Sequence, residues 1–238
     1  MNMSHYTVAV LTRGNQSVDE LLEPFDENIK VEPYIDVEKE DAEKEIKEFL
    51  EKNPQYKKEY IDMTWAEQVM GYYGQEIDQN GNPLSTYNPN SKWDWYSIGG
   101  RWNGLLKTKD GKFCNSCLLK DLDLTLNEEQ YNKEIRFWEI VVEEQPLKDG
   151  EEEPFNWYKK EYYLEKYGTK ENYAKLQSQF GTYAILTPEG EWLEPGQMEW
   201  FGISGASIDE EKSWEENYME LLNSFDKDLK ITIVDCHI

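Results

Sequence analysis

Two runs rich in β-branched and apolar residues frame this sequence. One is His5-Tyr6-Thr7-Val8-Ala9-Val10-Leu11, and the other is Lys230-Ile231-Thr232-Ile233-Val234-Asp235-Cys236-His237-Ile238. Both alternate in the manner of strands. A strand satisfies its backbone only by pairing sideways, and two apolar strands from opposite ends of a sequence are natural neighbours in one sheet. That pairing predicts a fold whose sheet joins the two ends, with everything between them arranged as excursions from it.

The excursions read mostly as helices and hairpins. Ser17-Val18-Asp19-Glu20 has the spacing of a capping box, with a serine N-cap and a glutamate three positions on. Ala42, Ile46, Phe49 and Leu50 recur at helical spacing within 37–52. Asn53-Pro54 predicts a further helix running to Tyr73, and the Asn80-Gly81 pair marks turns in a loop over 79–91. Strand character returns over 96–108 around Gly99-Gly100, and Asp110-Gly111 predicts a hairpin turn. Helices are expected over 127–144, 154–167 and 170–180, a hairpin about Pro188-Glu189-Gly190, and a second capping box at Ser207-Ile208-Asp209-Glu210. The expectation is a single α+β domain over 1–238, with a mixed or antiparallel sheet joining the N- and C-terminal strands and a helical insertion at about 125–180.

Composition narrows the function. The 49 acidic and 25 basic residues give a net charge of −24, so a broad direct contact with nucleic-acid backbone is disfavoured. Aromatics at 14% are too many for a disordered acidic chain. No apolar run approaches the roughly 20 residues a membrane helix needs, so no membrane partner is expected. The first eleven residues carry neither a basic start nor a long apolar core, so no signal peptide is expected. Three cysteines, few and odd in number, fit a reducing cytoplasm. The Cys114-Asn115-Ser116-Cys117 pair has metal-like spacing, but one such pair alone does not make a zinc site, and no metal or cofactor is expected.

Chemistry concentrates in 85–102, where Asn88, Ser91, Lys92, Trp93, Trp95, Arg101 and Trp102 fall in a turn-rich stretch with Gly99-Gly100. Charges over 80–117 sum to +3, an electropositive island suited to a small anion. In the binding reading Arg101 and Lys92 hold the anion, the tryptophans stack or wall a base, and Asn88 and Ser91 orient it. A packing role for the same aromatics, with Arg101 paired to a carboxylate, is the plain alternative. On the last strand, alternation puts Asp235 and His237 on one face and Cys236 on the other. Asp235 and His237 are therefore candidate catalytic residues, whereas Cys236 and His237 do not form a nucleophile–base pair with each other. Acidic stretches, net −10 over 189–228 and −6 over 139–153, suit either a solvated surface or a nucleic-acid-like face.

The Ser85-Thr86-Tyr87-Asn88-Pro89-Asn90-Ser91-Lys92-Trp93-Asp94-Trp95-Tyr96 block with Ile98-Gly99-Gly100-Arg101-Trp102 resembles an uncharacterised family of bacteriophage accessory proteins. So do Trp200-Phe201-Gly202, the stretch from Leu22 to Asn28, and the ending Val234-Asp235-Cys236-His237-Ile238. The resemblance implies a phage protein at work in the bacterial host cytoplasm and brings no established activity with it. The combined expectation is a host-takeover or counter-defence protein whose pocket binds, or binds and hydrolyses, a small anionic nucleotide-like ligand. The alternative is an acidic, nucleic-acid-mimicking inhibitor whose partner is a host defence or transcription protein.

Overall fold

The structure is a computed structural model that describes residues 5–196, 198–199 and 203–238; the Trp200-Phe201-Gly202 segment lies outside the described residues. The chain divides into two compact units, one made of 1–24 with 92–238 and the other of 25–91.

The first unit is built on the expected pairing. The first strand, His5–Thr12, runs antiparallel to the last, Lys230–His237, in unbroken register from His5 opposite His237 to Thr12 opposite Lys230. On its other side the first strand pairs in parallel with Ala184–Leu186, which in turn pairs with Trp192–Leu193 through the hairpin foreseen at Pro188-Glu189-Gly190. The free side of the last strand takes two short antiparallel partners, Trp95–Ile98 along its end and Ser116–Leu118 along its beginning. The result is a mixed sheet in an α+β fold that joins the N- and C-terminal strands.

Alternation then decides what each face does. Ala9, Leu11, Ile231 and Ile233 point to one face, where they are fully buried against Tyr218 and Leu222 of the helix Ile208–Ser224 and against Leu106 and Leu119. Each fully buried aliphatic side chain of this kind contributes about 1.5–3 kcal/mol. Followed along the same two strands, this face changes character. Beyond Leu11/Ile231 and Ala9/Ile233 come Thr7 opposite Asp235 and then His5 opposite His237.

The helices obey their caps. Ser17 and Ser207 each close a complete capping box, for the helices Val18–Leu22 and Ile208–Ser224. The helical stretch foreseen at 125–180 forms three helices of the first unit: Glu128–Val141, Lys160–Tyr167 and Lys170–Ser178. Their cluster is aromatic, with Trp138, Tyr163, Tyr167 and Tyr173 buried together. The middle helix begins at Lys160 rather than near Pro154, and Phe155 and Trp157 stand exposed on the loop before it.

The second unit holds the helices Lys39–Lys52 and Trp65–Tyr73 around Ile46, Tyr60 and Val69, with a small antiparallel sheet of Tyr34–Ile35, Pro83–Ser85 and Glu76–Ile77. The continuous helix expected from Pro54 to Tyr73 is broken. Asn53 ends the preceding helix by donating its side-chain amide to Phe49 O, and a short Lys57–Tyr60 helix stops before Thr64. Thr64 and Glu67 form a capping box that starts a new helix, a second start signal inside the stretch expected to be continuous. Among the described residues no helix is long and apolar enough to cross a membrane.

Candidate functional site

The ionisable end of the sheet face is assembled by register. His5, His237 and Trp95 form one row across three neighbouring strands, and Thr7, Asp235 and Ser97 form the next. The chain has two histidines, and this row puts them side by side, rings edge to face with centroids 4.9 Å apart. His5 Nδ1 donates to Asp235 Oδ1 at 2.7 Å, and His237 Nδ1 donates to Asp94 Oδ1 at 2.6 Å. A carboxylate offers only acceptors, so it fixes the proton on Nδ1 and leaves Nε2 as the chemically available nitrogen of each ring. Neither Nε2 bonds to another described residue. Trp95 closes the row, stacked on His237 at 5.1 Å and edge-on to His5 at 5.3 Å.

The carboxylates are themselves held. Asp235 is buried, and its second oxygen accepts the backbone N–H of Arg101 at 2.9 Å. That N–H comes from the tight turn Gly100–Trp102, and Gly100 sits there with φ +47°, where a side chain would overlap Asp235 and Ser97. The glycine therefore permits a close approach of backbone to carboxylate that no other residue allows. Asn115 fastens the turn from behind. Its Oδ1 accepts from Gly104 N at 2.6 Å, its Nδ2 donates to Asn103 at 2.8 Å, and its backbone carbonyl accepts from Ile233 N at 2.9 Å. On the other pair, Asp94 N donates to His237 O at 2.9 Å, so backbone and side chain together tie Asp94 to the last strand.

Arg101 projects from this turn with an exposed side chain that makes no ion pair with a described residue. The other two arginines are engaged, Arg13 with Glu189 and Arg136 with Glu139 and Glu151. A guanidinium without a carboxylate partner keeps its five donors free for an anion.

The remaining residues singled out from sequence are placed differently. Lys92 pairs with Glu194 at 2.7 Å. Trp93 is buried, and its indole N–H donates to Leu22 O at 3.1 Å, which makes it a core residue. Trp102 packs against the aliphatic core. Asn88 and Ser91 belong to the second unit, where Asn88 donates to Asp26 O at 3.0 Å and Ser91 to the Tyr87 hydroxyl at 2.7 Å. The electropositive island is largely compensated from outside, because Lys107 pairs with Asp123 as Lys92 does with Glu194. Cys236 lies on the opposite face beside Tyr6, and burial raises its thiol far above the usual range. Burial next to Cys114 likewise pushes Cys117 up to about 12, so neither thiol is an activated nucleophile. Among the described residues no group of three or more His, Cys, Asp or Glu is placed to hold a metal ion.

Sequence reasoning brought Asp235, His237, Trp95 and Arg101 to this place and noted His5 on a neighbouring strand. It passed over Asp94 and Asn115. Asp94 carried a local signal, as the one acid inside the Trp93–Trp95 aromatic run, but its partner is 143 positions away. The fold and the site together define an α+β protein with two adjacent histidine–carboxylate pairs at one end of a mixed sheet. In three comparisons with known proteins no family model, no curated protein and no solved structure matches the chain.

Proposed function

We propose that this chain is a phage-encoded host-takeover or counter-defence protein, acting in the host cytoplasm, that binds a small anionic, nucleotide-like ligand at the His5–His237 end of its main sheet. The observation that carries the reading is Arg101, an unpaired guanidinium rooted on the carboxylate that orients His5. A phosphate there meets a bidentate donor and, from the two imidazoles, further N–H donors whenever the rings are protonated. The exposed Trp95 indole offers a face for a base. Two of the stretches that carry the phage resemblance, 93–102 and 234–238, include residues that build this end of the sheet. Lys92, Trp93, Asn88 and Ser91 drop out of the ligand set, since each is spent on another partner.

Titration calorimetry and thermal shift against ATP, AMP, 2′,3′-cyclic AMP, 3′,5′-cyclic AMP and cyclic di-GMP test this. At least one should bind to the native chain and lose at least tenfold in affinity on Arg101→Ala, about 1.4 kcal/mol. Binding to none of the five overturns the reading.

The second reading, an acidic inhibitor of a host protein, draws on the second unit. There an open groove of about 550 Å³ is lined by Asp36, Glu38, Asp41, Glu45 and Glu48 with a single Lys44. It predicts capture of a basic host protein that weakens steeply between low and moderate salt, survives Arg101→Ala, and is lost in Asp41→Asn/Glu45→Gln/Glu48→Gln.

A further inference from the structure

We infer that His5 and His237 work as an acid–base pair that hydrolyses a phosphodiester of the bound nucleotide; this rests on the anionic-ligand reading and adds a reaction to it. The two rings are register partners on paired strands, with centroids 4.9 Å apart. Each spends Nδ1 on its own carboxylate, at 2.7 and 2.6 Å, which orients the ring and stabilises the imidazolium that proton transfer creates. A buried ring needs one such bond in any case; what marks this pair is that the two rings lie side by side, each with Nδ1 engaged and Nε2 left as a donor or acceptor for a single reaction centre.

The chemistry balances with water as the only co-reactant. The neutral Nε2 of one ring takes a proton from the attacking water as its oxygen bonds to phosphorus. The phosphorus–oxygen bond to the leaving ribose hydroxyl breaks, and the protonated Nε2–H of the other ring delivers its proton to that oxygen. The rings have then exchanged protonation states, and solvent resets them. Arg101, on the turn whose backbone N–H donates to Asp235, is the cation assigned to the negative charge that builds on the phosphoryl oxygens. His237 is 2% exposed and its neighbour His5 is shielded too, while the Trp95 indole lying against both is 44% exposed.

The test separates turnover from binding. Native protein is incubated with 2′,3′-cyclic AMP, 3′,5′-cyclic AMP and bis(p-nitrophenyl) phosphate, products are followed by ion-exchange chromatography and p-nitrophenolate absorbance, and affinity is measured in parallel by calorimetry. The expected result is turnover of at least one cyclic nucleotide, reduced about 100-fold or more in His5→Gln and in His237→Gln. p-Nitrophenolate leaves without a proton, so one of the two variants should keep its rate on that ester while losing the cyclic nucleotide, which identifies the acid. Equal loss on both esters in both variants overturns the acid–base assignment. Binding without turnover of any probe by the native chain overturns the inference and leaves the binding reading intact. Binding to none overturns both. The native measurement needs no variant to fold, and Asp94→Asn, which leaves both rings in place, should lower the rate with the His5–Asp235 pair untouched.

Discussion

The first unit holds two buried clusters of charge, and they are finished to different degrees. In the helical layer, Lys166 is buried between Glu211 and Glu215, at 2.7 and 2.9 Å, with the Tyr162 and Tyr167 rings beside its ammonium. Its hydrogen bonds to the two glutamates hold the lysine above its ordinary range, against the opposing pull of burial. At the sheet end, two imidazoles and two carboxylates are close together, yet each ring keeps one nitrogen without a protein partner. A cation closed in by two carboxylates and two rings has little left to offer a ligand and holds helices together. A cluster with a reactive atom left over is the kind that does chemistry. Neither burial nor a spare polar atom separates the two, since Glu215 Oε2 is also left without a partner; the difference is that the spare atoms at the sheet end are imidazole nitrogens, which can both donate and accept.

The largest effect is expected from a change that touches no charge at all. Gly100→Ala must leave φ +47° or push aside the Asp235 carboxylate and Ser97, so it should cost about 3 kcal/mol and abolish ligand binding together. Urea denaturation and calorimetry on one sample check both. Lys166→Met comes next: it leaves Glu211 and Glu215 facing each other half-buried, a loss of about 2 kcal/mol, while ligand affinity stays within twofold. Restoring neutrality with Glu211→Gln/Glu215→Gln should recover most of that loss. A fall in ligand affinity in Lys166→Met would break the comparison.

Asp235→Asn sharpens it from the other side. The amide puts an N–H against either the His5 or the Arg101 donor, for about 1–2 kcal/mol of stability, with a much larger effect on the ligand than Lys166→Met has. The smallest effect concerns Arg136, whose guanidinium grips Glu151 with two bonds of 2.9 and 2.6 Å. Those bonds, helped by the Lys148 N–H, hold the Glu151 carboxyl at about 2 instead of the ordinary 4.5. A carboxyl depressed in the folded state stabilises it fully above about pH 4.5 and loses that contribution as the pH falls towards 2. The difference in stability between native protein and Arg136→Met, followed by denaturation from pH 6 downwards, should therefore shrink below about pH 4.5.

Much of the fold was legible because it is governed by local or pairwise rules. The first and last strands announce themselves by β-branched alternation, the Ser17 and Ser207 helices by their capping boxes, and the 184–193 hairpin by Pro188-Glu189-Gly190. What escaped were the places where two signals compete or where distance hides a partner. The Asn53-Pro54 start signal masked the Thr64 cap that opens a separate helix within 54–73. At the site, alternation correctly put Asp235 and His237 on one face, away from Cys236. Contiguity then misled, because the motif 85–102 reads as one segment while the division between compact units falls between Ser91 and Lys92. Asp94 could be matched to His237 only once the register of Trp95–Ile98 on the last strand was known.

The pairing of His5 with Asp235 spans 230 positions, and that separation governs when function appears. Contacts so distant in sequence form late, after most local structure is in place, because a long loop must close before they gain anything. A ribosome-bound chain can therefore carry all the helices described, the last of which ends at Ser224, and still lack both histidine–carboxylate pairs. A chain cut ahead of Lys230 loses the strand between His5–Thr12 and Trp95–Ile98 and the core residues Ile231 and Ile233, so the sheet is expected to fail together with the site. Both histidine–carboxylate pairs are therefore complete only once residues 230–237 have joined the sheet.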